Sequence, residues 1–411
     1  MAQRQGSFVK YLIIGFSAAG ANAAETIRRL DPDGEIIVLN GESRSFYLRL
    51  DLEGIFQGKP VEQLMPRPPE YWPEKGINVR LDRAVGIDLK KRQVAAQSGG
   101  IYGYDRLLIA TGARPRKLDV PGCDLAGVFH YHTLDDALAI YDSRARVRHA
   151  VIVGGGILGL ELAHAVLTFG WKVTILVRGS HAGSPIVDLS GSELVLASLQ
   201  RAGVGVLFHE QAAAFEGDSR HLCAVRATSG KTLDADLAAI CVGVEPDVSF
   251  LQDTGLLTDG KLIVDGKMQT AAADVFAAGD AALVRRGEKL VGCNMWNVAS
   301  AQARVAASNM CGMKAEWRED VLYNLDSLFD QEFALIGPWD DRRLSGRAIH
   351  EFRTENAYRA LVMRDGVLES ALLLGDRTHD RRIRKLITQK ARVEEKLDRI
   401  FDPDTPPDYF I

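Results

Sequence analysis

Tyr11-Leu12-Ile13-Ile14-Gly15-Phe16-Ser17-Ala18-Ala19-Gly20 and Ala150-Val151-Ile152-Val153-Gly154-Gly155-Gly156-Ile157-Leu158-Gly159 follow one pattern, with first glycines 139 residues apart. Each is an apolar run of β type, then a glycine-rich turn, then a helical stretch rich in Ala, Leu and Glu. In that context GxSxxG and GxGxxG read as dinucleotide-binding turns. The glycines let the backbone turn tightly and approach a pyrophosphate, and the helix N-terminus adds free N–H groups and partial positive charge. One such turn predicts one nucleotide. Two predict a flavin and a nicotinamide facing each other.

Outward from the first turn, the pattern predicts a β-α-β unit over residues 8–40. Its strand is Val9 to Ile14, its helix runs from about Ala18 to Leu30, and Glu35 to Leu39 forms the second strand. Asp31-Pro32-Asp33-Gly34 ends the helix by turn chemistry. Short strands follow over 77–108, with a hairpin at Ser98-Gly99-Gly100. LLIATGARP (107–115) is an apolar strand closing on a Thr-Gly turn, and Pro121-Gly122 has the character of a linker. The second β-α-β unit spans about 149–177. Ala238 to Val242 is a strand running into a hinge at Gly243-Val244-Glu245-Pro246, and Val275 to Asp280 repeats the strand-to-turn pattern with a Gly-Asp ending. From about Tyr323 the chain becomes aromatic and β-rich. It then predicts one terminal helix carrying Ile383, Leu386, Ile387, Val393, Leu397 and Ile400 at near-helical spacing. The stretch Asp402 to Pro407 is expected to be irregular.

The 411 residues predict two or three domains, and 46% hydrophobic with 25% charged residues is globular composition. A net charge of −4 gives no sign of a nucleic-acid partner. Cys123, Cys223, Cys241, Cys293 and Cys311 are scattered, with no CxxC spacing. They predict neither a disulfide framework nor a metal or cluster site, and are expected to be small buried apolar residues in a reducing compartment. Arg4 and Lys10 before YLIIGF, with Ala21-Asn22-Ala23 beyond, imitate a signal peptide. The apolar core is short, and strand, turn and helix account for it better. No run approaches a membrane span, so the expected location is the cytoplasm, without a membrane partner.

The order GxSxxG, ATG, GGGxxGxE and Gly-Asp resembles the FAD-dependent pyridine nucleotide-disulfide oxidoreductase superfamily over about residues 8–312. Within it the chain looks most like the branch of NADH:rubredoxin reductases and nitrite reductase flavin domains. Tyr47-Leu48-Arg49 with Gly54-Ile55-Phe56-Gln57-Gly58-Lys59 is similar to that branch's YxRPxL…YLAGK segment, with Leu50 in place of the proline. Trp296, Ala299, Gln302 and Asn309-Met310-Cys311-Gly312 fit its WxxAxxQG…NMxG pattern, with Ala303 replacing a glycine. The resemblance implies an α/β fold: two Rossmann-like dinucleotide-binding domains, for FAD (1–121 and 246–322) and NAD(P) (122–245), plus a small α+β C-terminal interface domain (323–411).

Residue by residue, Gly15, Ser17 and Gly20 are expected at the FAD pyrophosphate, with Ser17 replacing the usual middle glycine. An acidic ribose anchor is due about 20 residues on; Glu42 is the choice and Asn40 its competitor. The resemblance places Arg49 and Trp296 at the flavin, and Thr111 and Gly112 beside the cofactor at a strand end. It places Asp280 on the ribityl chain at the head of a helix, which it would also cap. For the nicotinamide dinucleotide the candidates are Gly154, Gly156, Ile157, Leu158 and Gly159. Glu161 is expected near the reacting rings, with an exposed helix glutamate as the alternative, and Gly243 at the strand-end turn. The second strand of this unit ends at Arg178 with no carboxylate for a 2′-hydroxyl. The residues therefore lean toward NADP, whereas the branch resemblance favours NAD; NAD is the choice, with NADP open.

The chemistry then belongs to the two cofactors. Thiol relay needs a cysteine beside the flavin, and the loop 42–50 holds none. An external one-electron acceptor is therefore expected: an iron–sulfur protein, or an iron–sulfur subunit in a hetero-oligomer such as an aldehyde or 2-oxoacid oxidoreductase. From Arg377 to Arg399 nine Lys/Arg stand against four Asp/Glu. That stretch either docks an acidic partner or is a solvated face. A non-catalytic NADH-sensing flavoprotein and a quinone- or oxygen-reducing flavoenzyme remain the alternatives.

Overall fold

The computed structural model describes residues 8–218, 220–292, 294–318, 322–339 and 347–410. Six helices of nine or more residues occur among them. They are α1 (Ala18–Leu30), α2 (Leu134–Asp142), α3 (Ile157–Val166), α4 (Leu189–Arg201), α5 (Trp296–Met310) and α6 (Asp380–Thr388). None is long and apolar enough to cross a membrane.

The chain divides into two compact units, Met1–Arg114 with Val244–Arg318, and Pro115–Gly243 with Glu319–Ile411. The first is built on a five-stranded parallel sheet in the order Val275–Ala277, Arg106–Ile109, Lys10–Ile14, Glu35–Asn40, Ile77–Leu81. Its central strand buries Tyr11 through Ile14, which is why that segment reads as a continuous apolar run rather than an alternating one. Helix α1 lies against α5, and Asn22 of α1 donates to Ser300 of α5 at 3.3 Å. At the end of α1, Asp31 accepts the Gly34 N–H at 3.0 Å through Oδ1 and the Tyr11 hydroxyl at 2.9 Å through Oδ2. One carboxylate thus shapes the turn and ties it to the central strand.

The second unit holds a five-stranded parallel sheet in the order Gly205–Phe208, Lys172–Val177, His149–Val153, Leu237–Ile240, Val128–His130. It also holds a five-stranded antiparallel sheet over 323–374, in the order Tyr323–Leu328, Gln331–Ile336, Val367–Leu374, Tyr358–Arg364, Ala348–Arg353. Helix α4 packs on that sheet. A Cβ on Gly191 would fall within 3.0 Å of the Tyr358 ring, and the Tyr358 hydroxyl donates to Asp188, the N-cap of α4, at 2.7 Å.

The terminal helix is shorter than its apolar spacing predicts. α6 stops at Thr388, Lys390 takes a left-handed φ of 52°, and Arg392 bridges to Val367 before a 3-10 segment, Glu394–Arg399. Ile383, Val393 and Ile400 are all buried in one cluster, so the spacing reported burial correctly but not continuity. The tail is held too. Arg382 donates to the carbonyls of Ile400, Asp402 and Thr405, and Pro407–Phe410 forms a 3-10 turn.

Candidate functional site

The two glycine turns are built alike. Gly15 sits at φ +102° and Gly154 at φ +121°. The N–H of Gly15 donates to Leu39 at 2.8 Å and that of Gly154 to Leu176 at 2.9 Å. A Cβ on Gly15 would land on the Ala110 carbonyl, and one on Gly154 on the Cys241 carbonyl; one on Gly20 or Gly159 would land on the carbonyl of the first glycine of its own turn. In each turn backbone packing demands both glycines, and handedness demands the first of them as well. Gly155 is tied as well, its Cβ position lying 2.6 Å from a Val177 methyl.

Gly156 differs. Its φ of −80° suits any residue, and the nearest atom to an added Cβ is the Ser184 carbonyl oxygen at 3.8 Å. Nothing among the described residues requires a glycine there. Gly156 is the N-cap of α3, whose leading N–H groups have no intrahelical acceptor. This is a cradle that a side chain would fill. In the first turn Ser17 stands at the matching place, as N-cap of α1, and makes no side-chain capping bond.

Around the first turn the loop after Asn40 is fully wired. Asn40 is buried; its amide donates to the Arg44 carbonyl at 2.6 Å and its Oδ1 accepts the Glu42 N–H at 3.1 Å. Glu42 accepts from the Tyr47 hydroxyl at 2.7 Å and pairs with Arg49 at 2.6 Å. The Arg49 guanidinium also interacts with Asp280 and lies 5.4 Å from the centre of the Tyr47 ring. Burial pushes the Asp280 carboxyl up to about 6, and Arg49 pulls it back down. Asp280 does not head an α-helix: it lies in the 3-10 turn Gly279–Ala281, which makes no capping bond and runs into the strand Ala282–Arg286. The turn is held from behind by Gln302 of α5, whose buried Oε1 accepts the Gly279 N–H at 2.9 Å. Gln302 matched the family pattern in sequence, but its task is visible only in space.

Thr111 spends its hydroxyl on the Asp247 carbonyl at 2.7 Å, and Gly112 sits at φ +69° with open space at its Cβ position. Trp296 opens α5, and its indole Nε1 is buried with no hydrogen-bond partner among the described residues. An orphaned buried donor, a half-buried carboxylate beside an arginine and a helix N-terminus behind a glycine turn fit a flavin nucleotide. They are all in one unit.

In the second unit Glu161 lies on α3, partly buried, and its charge acts on Cys241. Arg178 is exposed just beyond the strand Lys172–Val177. Gly243 takes φ +99°, and its carbonyl accepts the Arg116 N–H at 3.0 Å. Burial pushes the Cys241 thiol up to about 12, with the charges of Glu161 and Asp136 adding to it, which disarms it as a nucleophile. The expectation that the cysteines are buried holds for Cys241 alone among those described. Cys223 is exposed, Cys123 and Cys311 are half-buried, and Cys293 lies outside the described residues.

Residues 9–303 match the model of the pyridine nucleotide-disulphide oxidoreductase family. The rubredoxin-NAD(+) reductase of Pseudomonas putida is 30% identical over 306 residues, 73% of this chain and 80% of that protein. The ferredoxin–NAD(+) reductase component of the biphenyl dioxygenase system of Paraburkholderia xenovorans is 33% identical over 66% of each chain. Among solved structures, a ferredoxin reductase from Rhodopseudomonas palustris aligns with a TM-score of 0.83 at 26% identity, covering 89% of this chain and 91% of that one. With two glycine turns of one design on two parallel sheets, the chain belongs to the pyridine nucleotide-disulphide oxidoreductase family, whose members are flavoenzymes that exchange electrons with NAD(P)H.

Proposed function

We propose that this protein is an FAD-dependent NAD(P)H oxidoreductase that passes electrons to an iron–sulfur protein or subunit in the cytoplasm, as a free reductase or as the reductase component of a larger redox system. The observation that carries the acceptor is a missing one in the sequence: none of the five cysteines falls in the loop 42–50. Cys241, beside the second turn, is held as a neutral thiol by its burial. Electrons therefore leave for an external carrier, in keeping with the rubredoxin and ferredoxin reductases the chain resembles.

Residues 1–121 and 246–322 form the proposed FAD domain, 122–245 the NAD(P) domain and 323–411 the interface domain. In the first, Gly15, Ser17 and Gly20 give the pyrophosphate close access to the backbone and the N-terminus of α1. Glu42 is proposed for the adenosine ribose. Tyr47 and Arg49 hold its carboxylate in place, while Asn40 shapes the loop with both polar atoms of its side chain. Asp280 accepts from the ribityl hydroxyls, Arg49 balances its charge, and Thr111, Gly112 and Trp296 border the ring system. In the second, Gly154, Gly156 and Gly159 with the N–H groups of Ile157 and Leu158 receive the dinucleotide. Glu161 and Gly243 flank the nicotinamide end, and Arg178 stands at the adenosine end. NAD is the proposed substrate. When bound, a flavin accepts hydride as an electron pair and releases electrons singly, which suits a one-electron partner.

The test is anaerobic titration of the yellow protein with NADH and with NADPH, followed by mixing with rubredoxin or a plant-type ferredoxin. Rapid bleaching by NADH and electron transfer to at least one iron–sulfur carrier are expected. A flavin that bleaches but reduces only oxygen or quinone would overturn the proposed acceptor, and a colourless native protein would overturn the whole reading.

A further inference from the structure

We propose that Tyr358, on the antiparallel sheet, is a positioning residue for the nicotinamide dinucleotide: through Asp188 it holds the loop 183–187 against the second glycine turn. This rests on the reading of that turn as the NAD(P) site. The Gly183 N–H donates to the Gly155 carbonyl at 2.7 Å, and the Ser184 carbonyl oxygen is the atom nearest the open Cβ position of Gly156, at 3.8 Å. The loop is thus the wall beside the cradle. It belongs to no strand or helix. Within it the N–H groups of Ile186 and Val187 donate to the Gly183 carbonyl, both at 3.0 Å, and the His181 ring Nε2 lies 3.0 Å from the Val187 carbonyl oxygen. A short turn of this kind takes its position from whatever fixes its two ends.

Those ends are held by different parts of the chain. At the start, the strand Lys172–Val177 leads to Gly179, whose carbonyl accepts the His209 N–H at 3.1 Å. At the end stands Asp188, which divides its carboxylate. Oδ1 accepts the Gly191 N–H at 2.8 Å and caps α4, while Oδ2 accepts the Tyr358 hydroxyl at 2.7 Å. Tyr358 is fully buried, and its strand is paired on both sides, with Leu374 and Arg353 as its partners. Its ring is therefore a fixed post. Burial, then Asp188 and Glu351, push its hydroxyl far above the ordinary phenol range, which keeps on it the proton that the bond to Asp188 uses. A helix cap needs only one side-chain oxygen, and serine caps about as well as aspartate. The second carboxylate oxygen and the buried phenol are what tie the loop to the sheet. Helix α4 meets the sheet again where Gln331 donates to Ser198 at 3.0 Å, about 15 Å along the helix from Asp188.

The holoenzyme is to be assayed with NADH and ferricyanide. Tyr358→Phe removes one hydroxyl, and Asp188→Ser keeps the helix cap but is too short to reach the phenol. Each should raise the KM for NADH by about three- to tenfold while kcat at saturating NADH and flavin content stay native. The double variant should go no further than the larger single effect, because both changes cut one tether. Asp188→Asn, whose carbonyl can cap α4 while its amide donates to the phenol oxygen, should bring KM back near the native value. Gln331→Ala, at the distant contact of α4, should leave KM within about twofold. A native KM in Tyr358→Phe, with or without a lower urea midpoint, would overturn the proposal and leave the bond a purely structural one. So would a double variant whose effect is the product of the two singles, or an equal rise in Gln331→Ala, since any loosening of α4 would then suffice. A native protein whose flavin NADH fails to bleach would overturn the NAD(P) reading itself, and is told apart from these outcomes because they all require turnover.

Discussion

Replacing Gly156 by leucine asks whether the second turn serves a ligand or only the fold. The residue is at φ −80° and ψ −179°, and an added Cβ comes no closer than 3.8 Å to any protein atom. No left-handed strain is involved. Losing glycine at an N-cap costs a few tenths to about 1 kcal/mol, and the stiffer unfolded chain returns about 0.4–1 kcal/mol. The net change is near zero and at most about 1 kcal/mol, so the melting temperature should move by less than about 2–4 °C. Binding is another matter. On the proposed reading the pyrophosphate uses the leading N–H groups of α3, which have no intrahelical acceptor, and each hydrogen bond to a charged group contributes about 1.5–3 kcal/mol. Displacing the ligand from two of them costs about 3–6 kcal/mol, on the order of a hundred- to ten-thousand-fold in affinity. Gly156→Ala should fall between leucine and the native residue. The assay is steady-state KM for NADH with ferricyanide, alongside the flavin-to-protein ratio and a thermal melt. A KM within about twofold of the native value would refute the ligand role, since two lost hydrogen bonds cannot hide in that margin. Parallel loss of flavin would show that the two turns are assigned to the wrong cofactors.

Gly20→Ala is expected to act through the fold instead. Its Cβ would land on the Gly15 carbonyl, and such overpacking costs about 1–3 kcal/mol or more, measured as a lower urea midpoint together with reduced flavin content. Gln302→Ala leaves the buried Gly279 N–H without its acceptor and should cost about 1–3 kcal/mol, with flavin lost sooner on dialysis; unchanged flavin retention would remove Gln302 from the site. The Asp280 carboxyl, raised to about 6, binds more protons folded than unfolded. Its contribution to the stability of flavin-stripped protein is complete below about pH 4 and lost as pH rises through 6, amounting to about 3 kcal/mol. Asp280→Asn should therefore flatten the urea midpoint between pH 4 and 7, and an unaltered pH profile would count against the assigned burial. Iodoacetamide at neutral pH, and Cys241→Ala, should leave NADH-to-dye turnover intact, because burial keeps that thiol protonated; inactivation by either would bring back a sulfur relay.

Local chemistry wrote much of this protein into its sequence. A parallel strand buried on both faces must be an unbroken apolar run, and a turn whose Cβ positions are filled by backbone must be glycine. Lys10–Ile14, His149–Val153 and their turns were therefore legible without coordinates, as were two nucleotide sites and the absence of a cysteine from the loop 42–50. Where the outcome depended on partners distant in sequence, the reading stopped short. Apolar spacing from Ile383 to Ile400 marked what is buried but not the left-handed break at Lys390, because period alone carries no backbone handedness. Asp280 looked like a helix cap, and only the fold shows it inside a 3-10 turn, hung from Gln302 and balanced by Arg49. That Gly156, unlike the other glycines of its turn, has no described protein atom closer than 3.8 Å to its Cβ position is a fact of tertiary packing. Short-range sterics select residue types position by position, whereas charge and free volume are summed over whatever the folded chain brings together.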